Sequence, residues 1–333
     1  ISGFTVEGTG FQGAGIYLYN IDHCNITNNN VTGNYGYGIF SNSSNNNTFV
    51  DNTVKFNYYY GIRLYWSNDN TLINNTIMIT HMYSLVLDCS NNNTLMNNIV
   101  LGGHNGIWVW RSSGNILMNN ILSYSKYCLP LSGSSNNKLI NNTASNGGYG
   151  ITLSGSSNNT LVNNNASDNW YGILLGESND NKLTNNTISN NSYYGIYSES
   201  SNNNLIYNNY FNNTKNAYDD GKNIWNISKT VGTNIIGGSY LGGNYWSDYA
   251  GGDLDGDGLG DTLLPYNFSG NIQNGGDWLP LVKEEPYAKI DVGVTTNITF
   301  ANPSDLVPYL PPEYAGMDMS AAVVLNVNIT DNT

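Results

Sequence analysis

The chain of 333 residues has few charged side chains, which are 11% of its residues against about a quarter in a typical soluble domain. Lysine and arginine together number 11, aspartate and glutamate number 24, and the formal net charge is −13. Arg63 and Arg111 are the two arginines. Because proteins bind nucleic acid through clustered basic residues that displace counterions, this composition argues against nucleic acid as a partner.

Cysteine and long apolar runs are also scarce. Cys24, Cys89 and Cys128 occupy different positions of the repeat described below, so we expect free thiols rather than disulfides or a zinc site. No apolar run is long enough to cross a membrane, and no signal peptide is visible. The first six residues resemble the second half of a repeat, so we expect a processed or partial chain. The acidic, Tyr-rich and Lys-poor profile is typical of an exported protein.

A repeat of 22–24 residues fills most of the chain. Each copy starts with Gly-Ile or a close variant, continues with a Ser/Asn run and an apolar residue, and ends with paired Asn. The nine copies, here called coils one to nine, open at Gly15, Gly38, Gly61, Ser84, Gly106, Cys128, Gly150, Gly172 and Gly195. A repeat this short cannot bury its apolar face alone, so the copies must stack as a solenoid.

Four apolar columns appear when the coils are aligned. The first contains Ile16, Ile39, Ile62, Leu85, Ile107, Leu129, Ile151, Ile173 and Ile196, and the second lies two residues further along each coil. The third runs from Ile26 to Ile206 and the fourth from Val31 to Phe211. Polar residues flank each apolar position at the strand period of two. We therefore predict an all-β fold, a parallel β-helix of about nine coils around an aliphatic core.

Two columns of asparagine accompany the apolar columns. One contains Asn47, Asn70, Asn93, Asn115, Asn137, Asn159, Asn181 and Asn204, and the other contains Asn29, Asn52, Asn75, Asn98, Asn120, Asn142, Asn164, Asn186 and Asn209. Asn accepts left-handed backbone angles, and its amide can bond to the next Asn of a stack. We predict that these residues are structural ladders at the turns.

The repeat fails after Tyr218, which divides the chain into three predicted regions. Residues 1–239 are expected to form the β-helix and residues 240–285 a C-terminal cap that covers its last coil. Residues 286–333 are rich in proline and in strand-like runs. They are short for a β-sandwich, so they form either part of a truncated Ig-like domain or strands that complete a partner's sheet.

The cap contains an Asp/Gly motif that matches the first nine positions of a calcium loop. Its expected ligands are Asp253, Asp255, Asp257, the Leu259 carbonyl and Asp261. The twelfth position is Leu264 rather than glutamate, so a further ligand is expected from Asp248 or Asp277. Because closely spaced carboxylates repel one another, the motif predicts a structural Ca²⁺ that stabilises the cap; an acidic turn without metal is the alternative.

Large aromatic and charged residues cluster at the outward strand positions of coils three to five. The predicted patch comprises Arg63, Tyr65, Trp66, Asp88, Trp108, Trp110 and Arg111. Three interpretations remain open: ordinary stacking on a β-rich surface, a protein contact, or a glycan contact through the flat indoles. A tyrosine column before the opening glycines, from Tyr37 to Tyr194, is expected to be structural stacking. His81 and His104 fall in one column by this alignment. They are expected to be satisfied surface histidines, and a site that holds a metal ion is the alternative.

Asn-x-Ser/Thr sequons are frequent, as the composition favours. Those taken as glycosylation candidates are Asn42, Asn158, Asn190, Asn226, Asn267 and Asn297. If they are modified, glycans would coat the outside of the β-helix.

The Gly-Ile…Ser-x-Asn-Asn-x-Leu-x-Asn-Asn repeat resembles the NosD-type parallel β-helix repeat, which is common in archaeal surface proteins and related in fold to pectate lyases. Residues 243–249 (Gly-Asn-Tyr-Trp-Ser-Asp-Tyr) and 277–281 (Asp-Trp-Leu-Pro-Leu) are similar to the closing cap of that family. The resemblance implies a right-handed helix and an exported location. The bacterial namesake assists copper-site maturation of nitrous oxide reductase, an activity that the repeat alone does not transfer.

The leading functional hypothesis is a non-enzymatic extracellular structural protein that self-associates. Head-to-tail filaments, with strand addition by the C-terminal extension, are the expected assembly. The alternative is a carbohydrate-binding or carbohydrate-cleaving β-helix that uses the patch between Arg63 and Trp110. A weaker alternative is NosD-like metal handling by His81 and His104.

Overall fold

A computed structural model describes residues 1–10, 13–78 and 80–283. The predicted extension 286–333 lies outside the described residues. Within the described part of the chain, the single helical segment is a 3₁₀ turn at Phe268–Gly270. No helix there is long and apolar enough to cross a membrane. The all-β prediction is confirmed.

Three parallel sheets wind into a right-handed β-helix of about nine coils. Each coil contributes one long strand, whose outer face is half-exposed, and two short strands. Neighbouring strands in every sheet come from consecutive coils and pair in register; Ile62 pairs with Leu85, for example, and Leu85 with Ile107. The predicted stacking of aligned repeats is confirmed.

The strand boundaries follow the repeat. The ten-stranded sheet contains Ala14–Tyr19, Tyr37–Asn42, Tyr60–Tyr65, Tyr83–Asp88, Asn105–Trp110, Tyr127–Ser132, Tyr149–Ser154, Tyr171–Gly176, Tyr194–Glu199 and Ala217–Asp219. The eleven-stranded sheet contains Thr5–Glu7, Asn30–Thr32, Thr53–Lys55, Thr76–Met78, Ile99–Leu101, Ile121–Ser123, Thr143–Ser145, Asn165–Ser167, Thr187–Ser189, Tyr210–Asn212 and Tyr245–Trp246. The nine-stranded sheet contains Asn25–Thr27, Thr48–Val50, Thr71–Ile73, Thr94–Met96, Ile116–Met118, Lys138–Ile140, Thr160–Val162, Lys182–Thr184 and Leu205–Tyr207. A two-stranded antiparallel sheet, Thr230–Val231 with Tyr240–Leu241, follows the coils.

The core is a continuous aliphatic stack along the inside of the coils. All four predicted apolar columns are buried, and residues such as Ile62, Leu72 and Ile77 have no exposed surface. Glycine is favoured at the opening position because the coils pack closely there, and a Cβ at Gly106 would lie 2.4 Å from the Cys128 carbonyl oxygen; two coils instead carry Ser84 and Cys128 at this position. The repeat therefore places aliphatic side chains inside the coils. At the start of the long strands, the backbones of consecutive coils approach each other closely.

The asparagine columns form two buried ladders, as predicted. In the first Asn ladder, which contains Asn29 and its equivalents through Asn209, each side-chain Nδ2 donates to the Oδ1 of the next coil at 2.9–3.0 Å. In the second Asn ladder, from Asn70 to Asn204, the same bonds are 2.9–3.2 Å. Each Oδ1 also accepts a backbone N–H, so the turns have satisfied hydrogen bonds inside the protein.

Both Asn ladders end on a buried aspartate beyond the last coil. The first continues through Asn244, whose Nδ2 donates to Asp277 Oδ2 at 3.3 Å. The second continues through Asn223, whose Nδ2 donates to Asp219 Oδ1 at 2.7 Å. A carboxylate has no hydrogen to donate, so it accepts the last donor of each ladder and ends the series.

The cap closes the C-terminal end of the core with aromatic side chains. Trp225 and Trp246 are almost fully buried, and Trp246 stacks on Phe211 of the last coil with ring centroids 4.4 Å apart. The indole N–H groups of Trp225 and Trp246 donate to Asp219 and Asp277 respectively. The coils and the cap belong to one compact unit.

Candidate functional site

The predicted aromatic patch lies on three adjacent long strands of the ten-stranded sheet. The register pairs Val86 with Arg63 and with Trp108, and pairs Asp88 with Tyr65 and with Trp110. The side chains at these outward positions are therefore neighbours, as the column alignment predicts. Their contacts divide them into two groups.

The first group is a closed cluster around Arg63. The guanidinium forms an ion pair with Asp88, which is almost fully buried, and its carbon lies 4.9 Å from the ring centroids of both Tyr60 and Tyr65. Burial alone would lower the pKa of Arg63, but the bond to Asp88 and the adjacent phenols raise it above the ordinary value. Arg63 and Asp88 thus satisfy each other's charge within the surface.

Trp66 and Arg111 lie outside the strands, on the turns that follow them. Both have left-handed backbone angles, with φ of 50° and 47°. The Trp66 side chain is 55% exposed and contacts Tyr65 edge-on. The Arg111 guanidinium lies over Trp110, 4.9 Å from the ring centroid. The sequence alignment places them next to the patch but does not give this outward turn geometry.

The tyrosine column forms a stacked ladder on one side of the sheet, as predicted. Tyr37, Tyr60 and Tyr83 stack at 4.9 and 5.1 Å, and Tyr127, Tyr149 and Tyr171 stack at 4.7 and 5.1 Å. The two runs are separated at coil five, where Asn105 occupies the tyrosine position. Trp108 stacks on Tyr83 at 5.2 Å and ends the first run.

A depression of about 440 Å³, here called the Trp108 trough, lies beyond this break on coils five to eight. Its lining residues are Tyr83, His104, Asn105, Trp108, Tyr127, Pro130, Ser132, Tyr149, Thr152, Ser154 and Leu174. Trp108 and Leu174 are three coils apart along the same column, about 14 Å at the usual strand spacing. The second run of tyrosines borders the trough on one side.

The trough exists because small residues follow large ones in the outward columns. After Trp108, the next coils carry Pro130 and Thr152; after Trp110, they carry Ser132 and Ser154. The Trp108 indole stacks with both Tyr83 and Trp110, with ring centroids 5.2 and 5.4 Å apart, and borders the space above these smaller side chains. The result is an aromatic wall beside a low floor.

Hydroxyl and amide groups supply the polar part of the trough. Trp108 Nε1 donates to Ser132 Oγ at 3.2 Å, which fixes the indole orientation. His104 Nδ1 lies 2.8 Å from Asn105 Oδ1 at the opposite edge. A fixed aromatic face beside several hydroxyls can hold a flat ligand that carries both C–H and O–H groups.

The residues of the trough floor escape sequence reasoning that searches for large or charged side chains. Pro130, Ser132, Thr152 and Ser154 are unremarkable one at a time. The available signal is a gap, because Trp108 and Trp110 are followed in both outward columns by small residues on the next two coils. A column-by-column comparison of side-chain volume would find that gap.

The Asp/Gly motif of the cap brings three of its four carboxylates together. Oxygens of Asp253, Asp255 and Asp261 lie within 4.8 Å of one another. Burial raises the pKa of Asp253, but the backbone N–H groups of Gly256, Asp257 and Gly258 outweigh it and hold that pKa below the ordinary value. Asp257 instead pairs with Lys229.

The expected supplementary calcium ligands are engaged elsewhere. Asp277 accepts hydrogen bonds from Asn244 N at 2.6 Å and Trp246 Nε1 at 2.9 Å at the end of the first Asn ladder. Asp248 Oδ1 accepts hydrogen bonds from Tyr266 and Asn216. Neither lies with the three-carboxylate group in this structure. Leu259 is buried and lies in a bridge to Leu281, with its N–H donating to Asp257.

The two histidines are not equivalent in the structure. The coil that carries His104 is one residue shorter, and the register pairs Tyr83 with Asn105. His104 consequently falls opposite Met82, to which its backbone N–H donates, rather than opposite His81. His81 stacks on Tyr58 at 4.8 Å. The shared column that suggested a two-histidine metal site is therefore wrong by one position.

The described glycosylation candidates all lie at the surface. Asn158 and Asn190 are exposed, and Asn42, Asn226 and Asn267 are half-buried. Asn297 lies outside the described residues. Modification at these sequons remains a prediction.

Comparison with protein families identifies the chain. A model described as "Periplasmic copper-binding protein (NosD)" matches residues 79–251, just over half of the chain, and a model of a "Right handed beta helix region" matches residues 1–143. The chain therefore belongs to the NosD family, which confirms the resemblance of its repeat. No curated protein matches the chain.

Among solved structures, the chain is similar to full-length tailspike protein 2 from Escherichia coli O157:H7 bacteriophage CAB120, with a TM-score of 0.50, 16% identity, and coverage of 72% of this chain and 40% of that one. It is also similar to the A-module of the Azotobacter vinelandii mannuronan C-5 epimerase AlgE6 (TM-score 0.46, 13% identity, 62% and 74% coverage). A third is DFA-IIIase from Arthrobacter chlorophenolicus A6 (TM-score 0.48, 13% identity, 62% and 61% coverage). The chain spans less than two thirds of the tailspike and of DFA-IIIase. At these identities the likeness concerns the fold alone.

The described residues do not fit a copper site of the kind that the family name implies. Copper prefers imidazole and sulfur ligands. Among the described residues, the one group of three or more His, Cys, Asp or Glu side chains close enough to share an ion is the all-carboxylate set of the cap. Cys128 is buried, and that burial raises the pKa of its thiol to about 11. A fully protonated thiol is a poor metal ligand.

Proposed function

We propose that this chain is a saccharide-binding β-helix protein and that the Trp108 trough holds the ligand. The observation that carries the proposal is the trough itself, in which Trp108, held between Tyr83 and Trp110, borders a floor of Pro130 and Thr152. We therefore favour the carbohydrate-binding hypothesis over the structural-subunit hypothesis. The proposed site shares Trp108 with the predicted patch but otherwise lies on the coils that follow it.

The chemistry of a sugar ring matches this arrangement. One face of a pyranose exposes several polarised C–H groups, which are attracted to the negative face of an aromatic ring. Its rim carries hydroxyl groups, which need hydrogen-bond partners when they leave water. Trp108, Tyr127 and Tyr149 offer aromatic surface along the trough. Ser132, Ser154 and Asn105 offer the polar groups.

Binding without cleavage is the form that we propose. Glycoside hydrolysis needs two carboxyl groups across the scissile bond. No Asp or Glu is among the residues that line the trough. Glu177 and Glu199, the nearest approach to a carboxylate pair on adjacent coils, are offset by one position, since Glu199 pairs with Gly176. The similar proteins named as an epimerase or a DFA-IIIase do not transfer an activity to this trough.

Replacement of Trp108 by alanine tests the proposal. We expect the affinity for a bound oligosaccharide to fall at least about 10-fold, or about 1.4 kcal/mol, because the stacking face is lost. Isothermal titration calorimetry of purified protein against a panel of oligosaccharides measures the change.

Trp66→Ala is the matched control. It removes an indole that is 55% exposed and lies two coils away, outside the trough. Its affinity should equal that of the unaltered protein. If Trp66→Ala abolishes binding and Trp108→Ala does not, the site is on the other side of the patch and the assignment to the trough is wrong.

An exported location accompanies the proposed function. The family description names a periplasmic protein, and the chain is acidic, with surface sequons and 26 tyrosines. A saccharide-binding protein outside the cytoplasm would meet cell-wall, capsular or environmental glycans.

A further inference from the structure

We infer that the Trp108 trough selects neutral oligosaccharides and rejects polyuronates. This inference rests on the proposed saccharide function and adds the class of sugar. It follows from the charges in and around the trough.

The lining of the trough contains no permanently charged side chain. Its accessible polar groups are the hydroxyls of Tyr and Ser, the indole N–H of Trp108, the amide of Asn105 and the imidazole of His104, since the Thr152 hydroxyl is buried. A uronate carboxylate placed there would lose its water shell without gaining a cationic partner, and such desolvation is costly. Neutral hydroxyl groups can be satisfied by the amide and hydroxyl groups that are present.

The nearby cations are committed to other contacts. Arg63 is paired with Asp88 and enclosed by aromatic rings on coils two and three. Arg111 lies over Trp110, on the turn beyond the strand, and Lys126 lies 5.5 Å from the ring centroid of Tyr127. Neither Arg111 nor Lys126 is among the lining residues.

The charge of the whole chain acts in the same direction. With a formal charge of −13, the protein repels a polyanion as it approaches, and no basic stripe is present along the described coils to offset this repulsion. A neutral oligosaccharide approaches the protein without this electrostatic repulsion.

The test compares length-matched neutral and uronate oligosaccharides by calorimetry with the full chain. The neutral set contains gluco-, manno- and xylo-oligosaccharides, and the acidic set contains oligogalacturonates and oligomannuronates. Each titration is run at about 0.05 M and about 0.5 M NaCl, since added salt screens charge–charge attraction. Lys126→Gln, which removes the cation nearest to the tyrosine border, is the control variant.

We expect at least one neutral sugar to bind, with an affinity that changes less than about twofold with salt or in Lys126→Gln, and that falls in Trp108→Ala. Preferential binding of a uronate, weakened at least about 10-fold by salt, would overturn the neutral assignment but leave the saccharide function standing. Binding of no saccharide at all would overturn the proposed function and this inference together.

Discussion

Thr152 shows how a single residue can carry an energetic cost within a regular scaffold. It is 9% exposed, and its hydroxyl oxygen has no hydrogen-bond partner in the described part of the chain. A buried hydroxyl without a partner costs about 1–3 kcal/mol. Threonine at half-exposed strand positions of the repeat, such as Thr160, does not carry this penalty.

Thr152→Val should therefore stabilise the protein. The substitution keeps the shape of the side chain and removes the buried hydroxyl, so we expect the free energy of unfolding to rise by about 1 kcal/mol. Urea denaturation followed by circular dichroism measures it. Thr160→Val, at a half-exposed position of the nine-stranded sheet, controls for the higher strand preference of valine and should change little. A loss of stability in Thr152→Val beyond the control would show that the hydroxyl is bonded.

Residue-level predictions succeeded where the repeat constrains a position. The asparagine ladders follow from the column alignment, because a polar residue that recurs beside the core needs a partner, and its copy on the next coil is available. The pairing of Arg63 with Asp88 was not predicted, although both were assigned to one patch. Column position gives neighbours but not the direction in which two long side chains turn.

At the scale of elements, the cap is held by two buried aspartates that accept indole N–H groups. Asp277 is fully buried, and this burial raises the pKa of its carboxyl to about 6, although backbone and side-chain donors oppose the rise. Burial also raises the pKa of Asp219. Because the pKa is higher in the folded protein than in the unfolded chain, folding at mildly acidic pH takes up protons.

The stability of the cap should consequently fall as pH rises through that window. Between the ordinary value of 3.8 and about 6, the unfolded chain loses the Asp277 proton before the folded protein does. Protonation of Asp277 therefore contributes to the free energy of unfolding below about pH 4, and this contribution is lost above about pH 6. Its upper limit is about 3 kcal/mol. Urea denaturation at a series of pH values, in the presence of a chelator, measures it.

Asp277→Asn is the control for this pH dependence. Asparagine resembles the protonated acid and does not titrate, so the variant should have a flatter profile between about pH 4 and 6. An unchanged profile would mean that other groups produce the slope.

The Asp/Gly loop remains a predicted calcium site, and we propose that Ca²⁺ there is structural. Three carboxylates within 4.8 Å favour a cation with oxygen ligands. Calcium at about 100 times its Kd should stabilise the protein by about 2.7 kcal/mol, seen as a higher Tm that a chelator reverses. Asp255→Asn should remove most of this effect, whereas Asp51→Asn, at an exposed turn of the coils, should retain it. Identical Tm values with and without calcium would exclude the site.

At the scale of the whole molecule, self-association remains a prediction. The cap covers the aliphatic core after the last coil, so coil-on-coil propagation has no open core to contact at that end. Any assembly must then use another surface or the extension 286–333.

Sedimentation velocity can test the role of that extension. If its strand-like runs add to a partner's sheet, the full chain should associate with increasing concentration in calcium, and a chain ending at residue 285 should remain monomeric. A monomeric full chain at high concentration would contradict the structural-subunit hypothesis.

The fold was predictable at the scale of the whole molecule because every coil repeats the same pattern of buried, turn and closely packed positions. Gly15 and its equivalents, the inward aliphatic columns and the Asn turns all indicate one architecture, so errors at single positions do not accumulate. The trough was not predictable from the large residues alone, because it arises where Pro130, Ser132, Thr152 and Ser154 interrupt an aromatic surface. The sequence signal for the trough is the decrease in side-chain volume at equivalent positions of consecutive coils.

The amide ladders also have a direction, since every Nδ2-to-Oδ1 bond within them runs toward the C-terminal coil. An internal coil both receives and passes on a hydrogen bond, so whole coils could be duplicated or deleted in the middle without leaving an orphaned amide. The final position differs, since only an acceptor such as Asp219 or Asp277 can terminate the series. The number of internal coils in this chain is therefore not limited by the ladders, whereas an acceptor at their C-terminal end is needed for any length.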